Sequence, residues 1–270
     1  AMTAYPDFHQ TSQKKLLRGY YVPAGATAEQ SLETVLDSLF YHPNLAPFIS
    51  LHLIKSFVTS NPSPGYVGRV SAVFNRDAHG ERGNLSSVIQ AVLFDEEARL
   101  SVSEQLDNYG RAKDPLLRFL NYSRFFDVQG YDEERREQLR RRPSQEFLTA
   151  PSVFNFFSPV HVPNSDFADL DLVAPEFQII TSEALVSDSG LYAYMKSSEE
   201  WELCCAGESD DSKIYWIYSD LGGLPDLLES SGTVAAIAYL DIYLTQGRLS
   251  ETSKAALLEA YDDTLTNALL

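Results

Sequence analysis

The stretch that decides the fold runs from residue 42 to residue 69 and reads HPNLAPFISLHLIKSFVTSNPSPGYVGR. Pro43 ends a preceding helix, because the residue before a proline avoids helical backbone angles. The run that follows, residues 45–58, is apolar on almost every face, which is typical of a helix at the centre of a core. Ser63 and Pro64 then favour the start of another helix, as a capping residue and a first helical residue.

The same combination of caps and apolar spacing extends in both directions along the chain. Thr27 is placed to cap an upstream helix, Asn44 to cap the central one, and Asn84 or Ser86 to open a later one. Helices are predicted at about residues 28–40, 45–58, 64–74, 85–94, 116–126, 132–142, 175–196, 233–246 and 250–268. Residues 199–219 fit either a β-hairpin or a loop followed by a helical start.

These patterns predict an all-α (mostly α) fold. We expect a multi-helix globular bundle with at most one small β-hairpin. An irregular, aromatic and proline-rich segment at residues 147–173, called the strap below, is expected to pack over the helices. The chain is predicted to form a single helical domain over residues 1–270, with an alternative sub-boundary near residues 199–220. Because Ala1 before Met2 looks like a cloning remnant, we also expect the chain to be part of a longer protein.

The net charge and the apolar runs of the sequence argue against nucleic-acid and membrane partners. The net charge is −17, from 38 acidic against 21 basic residues, and a field of that sign repels phosphate backbones and anionic lipids. We therefore expect no nucleic-acid partner. No apolar run approaches the length of a membrane span. The cysteines, Cys204 and Cys205, are neighbours, so a free pair is favoured over a strained disulfide, and the redox compartment is left open.

Several blocks of the sequence are similar to one bacterial family. They are HPNLAPFI at 42–49, LFDEEAR at 93–99, APSVFNFFSP at 150–159 and LVAPEFQI at 172–179. Together they resemble the family called domain of unknown function 1800, although Lys113 and Asp114 stand where that family usually has Arg-Glu. The resemblance implies a periplasmic or extracellular protein whose C-terminal half this chain represents. It also implies an N-terminal half as partner, and no particular reaction.

Carboxylates and a histidine are the candidate catalytic residues. Glu176 and Glu183 are predicted two turns apart on one helix face, and paired carboxylates serve as acid and base in sugar hydrolysis. About 10.5 Å of helix axis separates them, which is long for the retaining arrangement. The alternative is a helix-dipole contact plus a surface glutamate. His42 is a candidate general base or ligand; the alternative is a helix-ending histidine whose ring satisfies a backbone carbonyl.

A loop rich in oxygen ligands is the candidate metal site. Asp166, Asp169 and Asp171 follow Asn164 and Ser165, and such loops hold calcium. The loop lacks the central glycine and the spacing of an EF-hand, so a solvated turn is the alternative.

The strap supplies the candidate ligand-binding residues. Asn155, Phe156 and Phe157 lie in it, and Gln178 belongs to the block that follows. Exposed aromatic rings stack on sugars or partner proteins, whereas buried ones are core. No nucleophile elbow, phosphate loop or dinucleotide fingerprint is present. We therefore favour a non-catalytic module that binds carbohydrate or a cell-surface protein, with a hydrolase of an extracellular polymer, such as a polysaccharide, as the alternative.

Overall fold

The computed structural model describes residues 3–101, 108–127, 145, 148–153, 155–186 and 222–268. The expected fold class is confirmed, because α-helices dominate the described residues. The α-helices are α1 (Ala28–Phe40), α2 (Leu45–Phe57), α3 (Pro64–Asn75), α4 (Leu85–Phe94), α5 (Pro115–Phe125), α6 (Ser165–Asp169), α7 (Leu224–Leu240) and α8 (Glu251–Ala268). The chain divides into two compact units, Ala1–Leu100 and Ser101–Leu270.

The first unit is built around α2, which packs against both α3 and α4. The predicted central position of this helix is therefore confirmed. Tyr66 is fully buried, and its hydroxyl donates a hydrogen bond to the carbonyl of Val92, so its polar group is satisfied inside the core. The buried cluster consists of Ala46, Ile54, Tyr66, Val70, Phe74, Val88 and Val92.

Local capping determines where the helices of this unit begin. The predicted caps at Thr27, Ser63 and Asn84 are confirmed, since each side chain accepts a hydrogen bond from a backbone N–H of the first turn. Asn44 is the exception, because its side chain makes no capping hydrogen bond. Its backbone N–H instead donates to Nδ1 of His42 at 3.1 Å.

A short antiparallel pair in the lead-in was not predicted. It joins β1 (Lys14–Lys15) to β2 (Tyr21–Val22), with Lys14 opposite Val22. The predicted hairpin at residues 199–219 lies outside the described residues, as do residues 132–142, Cys204 and Cys205. The single-domain organisation stays a prediction.

The described core of the second unit centres on Phe119 and Phe126. Its α7 passes into a π-helical turn, Asp241–Thr245, and α8 follows. Asp241 is buried and accepts a hydrogen bond from the N–H of Leu249 at 3.0 Å. Lys254 forms an ion pair with Asp241 at 3.5 Å.

The predicted helix over residues 175–196 is wrong as a continuous element. Pro175–Gln178 form a 3₁₀ turn, residues 179–181 are not helical, and residues 182–186 are helical again. The hydroxyl of Thr181 accepts the N–H of Ala184 at 3.1 Å and so caps the new start. Separately, no helix in the described ranges has the length and apolar character needed to cross a membrane.

Candidate functional site

A cavity of about 480 Å³ lies in the second unit, beside the strap. Ligand pockets of proteins commonly occupy about 300–1,000 Å³. The predicted binding residues Asn155, Phe156, Phe157 and Gln178 all line this cavity, so the structure brings the whole set together. Their role in binding stays a prediction. The described residues that line it are Pro151, Ser152, residues 155–159 and Gln178.

Hydrogen bonds join the strap to the 3₁₀ turn that carries Gln178. The backbone N–H of Ser158 donates to Oε1 of Gln178 at 2.7 Å. Farther along, the N–H of Ala174 donates to the carbonyl of His161 at 3.0 Å. The cavity is therefore shaped by two segments about twenty residues apart in sequence, and the contact between them involves the 3₁₀ turn at residues 175–178.

The wall of the cavity combines aromatic faces with uncharged hydrogen-bonding groups. The side chains of Phe156 and Phe157 are half-buried, so they are neither core nor fully solvated. Asn155 has a φ of 73°, a left-handed backbone conformation that asparagine tolerates better than most residues. Of the described residues that line the cavity, none has an ionisable side chain. The described wall therefore offers aromatic faces, amides and hydroxyls to a ligand.

Glu176 lies in the same 3₁₀ turn but is engaged in a buried ion pair. Its side chain is 2% exposed. Oε1 accepts a hydrogen bond from Nε of Arg111 at 2.9 Å and lies 2.8 Å from Nη2 of the same guanidinium as an ion pair. The other carboxylate oxygen, Oε2, is buried without a hydrogen-bond partner among the described residues. Arg111 also lies 3.9 Å from Asp114, which caps α5 through the N–H of Leu117.

The three predicted catalytic residues have different local surroundings, and their catalytic role stays a prediction. Glu183 is exposed, and the break at residues 179–181 removes the shared helix face with Glu176 that the sequence pattern predicted. His42 lies in the first unit, where its ring accepts the N–H of Asn44. His42 therefore lies at the end of α1 and contacts the backbone, as the alternative expected, but its ring accepts an N–H and no bond from the ring to a carbonyl is seen among the described residues.

The acidic residues predicted to bind calcium do not form a loop site. Asp166 and Asp169 lie within α6, and Asp171 follows it with a φ of 54°. Asn164 caps this short helix by accepting the N–H of Phe167 at 3.2 Å. Within the described ranges, no group of three or more His, Cys, Asp or Glu side chains is placed to hold a metal ion.

Sequence reasoning missed a polar cluster around Asp77 in the first unit. Oδ1 of Asp77 accepts the backbone N–H groups of His79 and Glu81, at 2.8 and 2.9 Å. Oδ2 accepts from the side chains of Asn84 and Ser87, at 2.7 and 3.2 Å. These bonds, that of Glu81 foremost, lower the pKa of Asp77 to about 2. The aspartate in a polar, glycine-containing loop was the available signal, and the cluster orders that loop.

Comparisons with known proteins give one match. The model of the family described as Protein of unknown function (DUF1800) matches residues 1–269, which extends the similarity through the last helices. No curated protein and no solved structure matches the chain.

Proposed function

We propose that this chain, which belongs to the family described as Protein of unknown function (DUF1800), is a non-catalytic binding module whose ligand occupies the cavity beside the strap. The observation that carries the proposal is the gathering of Asn155, Phe156, Phe157 and Gln178 around one cavity of ligand size. Half-buried phenyl rings beside carboxamides give a ligand both an apolar surface and hydrogen-bonding partners.

Two features of the second unit support binding over catalysis. General acid–base chemistry needs a titratable group within hydrogen-bonding reach of the substrate, and the described lining has none. Glu176 is the titratable residue nearest to Gln178 in sequence, and its Oε1 forms an ion pair with Arg111. A carboxylate engaged in a buried ion pair stabilises the turn and is poorly placed to exchange protons with a ligand.

We further propose that the module acts in the periplasm or outside the cell, together with an N-terminal half of the same longer protein. This follows from the family resemblance. Fractionation of cells that express the natural protein tests the location, and recovery of the protein in the cytoplasm alone would contradict it.

The binding proposal is tested with a ligand panel that spans chemical classes. Thermal unfolding is measured with neutral oligosaccharides, acidic oligosaccharides and proline-rich peptides, and active compounds are confirmed by calorimetric titration. A bound ligand at a hundred times its dissociation constant stabilises the protein by about 2.7 kcal/mol. We expect at least one class to raise the melting temperature of the wild type.

Matched variants locate that binding and separate it from catalysis. Phe156→Ala removes a cavity ring, whereas Val153→Ala alters the same strap at a side chain that is 95% exposed and outside the lining. We expect Phe156→Ala to abolish most of the shift and Val153→Ala to keep it. Each ligand should be recovered intact by chromatography after incubation. Absence of any shift, equal shifts in both variants, or ligand cleavage would overturn the proposal.

A further inference from the structure

We infer that the ligand of this cavity is an uncharged carbohydrate, held by the rings of Phe156 and Phe157 and by the carboxamides of Asn155 and Gln178. This inference rests on the proposed function, because it specifies the ligand of the same site. Three properties of the cavity lead to this inference. They are the absence of charge in its described lining, the presence of both aromatic rings and amides, and the carboxamide of Asn155, which makes no hydrogen bond to the described residues.

The absence of charge in the lining selects against ionic ligands. A charged group that leaves water for this cavity meets only serine, asparagine, glutamine, proline and phenylalanine side chains among the described residues. A charged group finds no opposite charge among these side chains, so no ion pair offsets the water that it loses there. The net charge of −17 adds a long-range repulsion against polyanions, including acidic polysaccharides. Both effects leave a neutral ligand as the favoured one.

The rings and amides match the two kinds of surface on a sugar. The C–H groups of a pyranose form an apolar face with a slight positive polarisation, and the face of a phenyl ring is negative. The hydroxyls at the edge of the sugar both donate and accept hydrogen bonds, as carboxamides do. Oε1 of Gln178 already accepts from Ser158, which leaves its NH₂ group to donate.

Asn155 is poised for a ligand with both donors and acceptors. Its backbone N–H donates to the carbonyl of Ser152 at 3.2 Å, while its carboxamide makes no hydrogen bond to the described residues. Aromatic walls also take proline-rich peptides. A polyproline backbone has no N–H, so it can accept a hydrogen bond from Asn155 but cannot donate one, whereas a sugar hydroxyl does both.

The decisive experiment compares matched ligands by calorimetric titration of the whole chain. Cellotetraose, maltotetraose and chitotetraose represent neutral sugars, tetragalacturonate represents an acidic sugar of the same length, and a proline-rich peptide represents the alternative. We expect one neutral sugar to bind at least about tenfold more tightly than tetragalacturonate and the peptide.

Variants assign that binding to the named residues. Phe156→Ala should weaken the neutral sugar by roughly three- to tenfold, the range of an aromatic contact. Asn155→Gly removes the carboxamide while glycine accepts the φ of 73°, so it should weaken binding without lowering the melting temperature. Val153→Ala should bind as the wild type does.

The outcomes separate the two proposals. If the peptide or tetragalacturonate binds most tightly, and Phe156→Ala weakens that binding, the carbohydrate inference is overturned but the binding module is retained. Binding of a neutral sugar that neither Phe156→Ala nor Asn155→Gly weakens would overturn both assignments to this cavity. No binding by any probe would also overturn both.

Discussion

Replacing Arg111 by methionine tests the buried ion pair in the 3₁₀ turn that carries Gln178. Arg111 gives Glu176 one hydrogen bond at 2.9 Å and an ion-pair contact at 2.8 Å, both to one oxygen, and the glutamate is only 2% exposed. Removal of one partner of a buried pair leaves an uncompensated charge, which costs about 3–5 kcal/mol. The second oxygen of Glu176 already lacks a partner among the described residues, so we expect Arg111→Met to fall within that range.

The assay is urea unfolding of the wild type and variants, followed by circular dichroism. The double variant Arg111→Met/Glu176→Met should recover most of the loss, because a well-packed apolar pair replaces a buried ion pair at little net cost. Glu183→Gln changes an exposed carboxylate that lies after the same turn and should leave stability unchanged to within about 0.5 kcal/mol. A loss below about 1 kcal/mol in Arg111→Met, or no recovery in the double variant, would refute the reasoning.

The first unit offers further predictions. The pKa of Asp77 is about 2, below its unfolded value of about 3.9, so its carboxylate stabilises the fold above the unfolded pKa and that stabilisation is lost as pH falls toward 2. Asp77→Asn should therefore melt below the wild type near neutral pH, and the two melting temperatures should converge in acid; a constant difference would contradict this. Arg82 stacks on Phe40 at 5.4 Å and donates to its carbonyl at 2.8 Å, so Arg82→Lys should lose about 1–2 kcal/mol in urea unfolding. Arg76→Lys, at an exposed position of the same unit, is the control and should change little; equal losses would contradict a specific role for the Arg82 guanidinium. Gly83 has a φ of 77°, and an added Cβ would lie 2.8 Å from the ring of Phe40, so Gly83→Ala should destabilise by more than about 1 kcal/mol in the same assay; an unchanged midpoint would contradict it.

Short-range signals predicted much of the helical architecture. Thr27 and Ser63 cap helices because a capping hydrogen bond reaches only three residues along the chain, which makes it legible in sequence. The apolar run at residues 45–58 identified the helix that packs against α3 and α4, although two of its apolar side chains, Phe48 and Phe57, are exposed. The strap was also recognisable, because its clustered phenylalanines and prolines fit no helical period.

Contacts between distant residues could not be predicted in the same way. Arg111 and Glu176 are 65 positions apart, and nothing in either local sequence identifies the partner. The contacts of Glu176 with Arg111 and of Gln178 with Ser158 hold residues 175–178 in a 3₁₀ turn, so the helical pattern that begins at Pro175 was misleading. The pairing of Lys14 with Val22 was missed because a two-residue strand carries no alternating pattern.

The most direct test of the account is a titration observed at the cavity rings themselves. The phenylalanines are labelled with ¹³C, Phe156 and Phe157 are assigned by single substitution to leucine, and the tightest ligand of the panel is added in steps. Phe48 and Phe57, which are exposed in the first unit, serve as internal controls. The account predicts saturable shifts of Phe156 and Phe157 with unchanged Phe48 and Phe57. Saturable shifts of Phe48 or Phe57, with Phe156 and Phe157 unchanged, would contradict the assignment of ligand binding to this cavity.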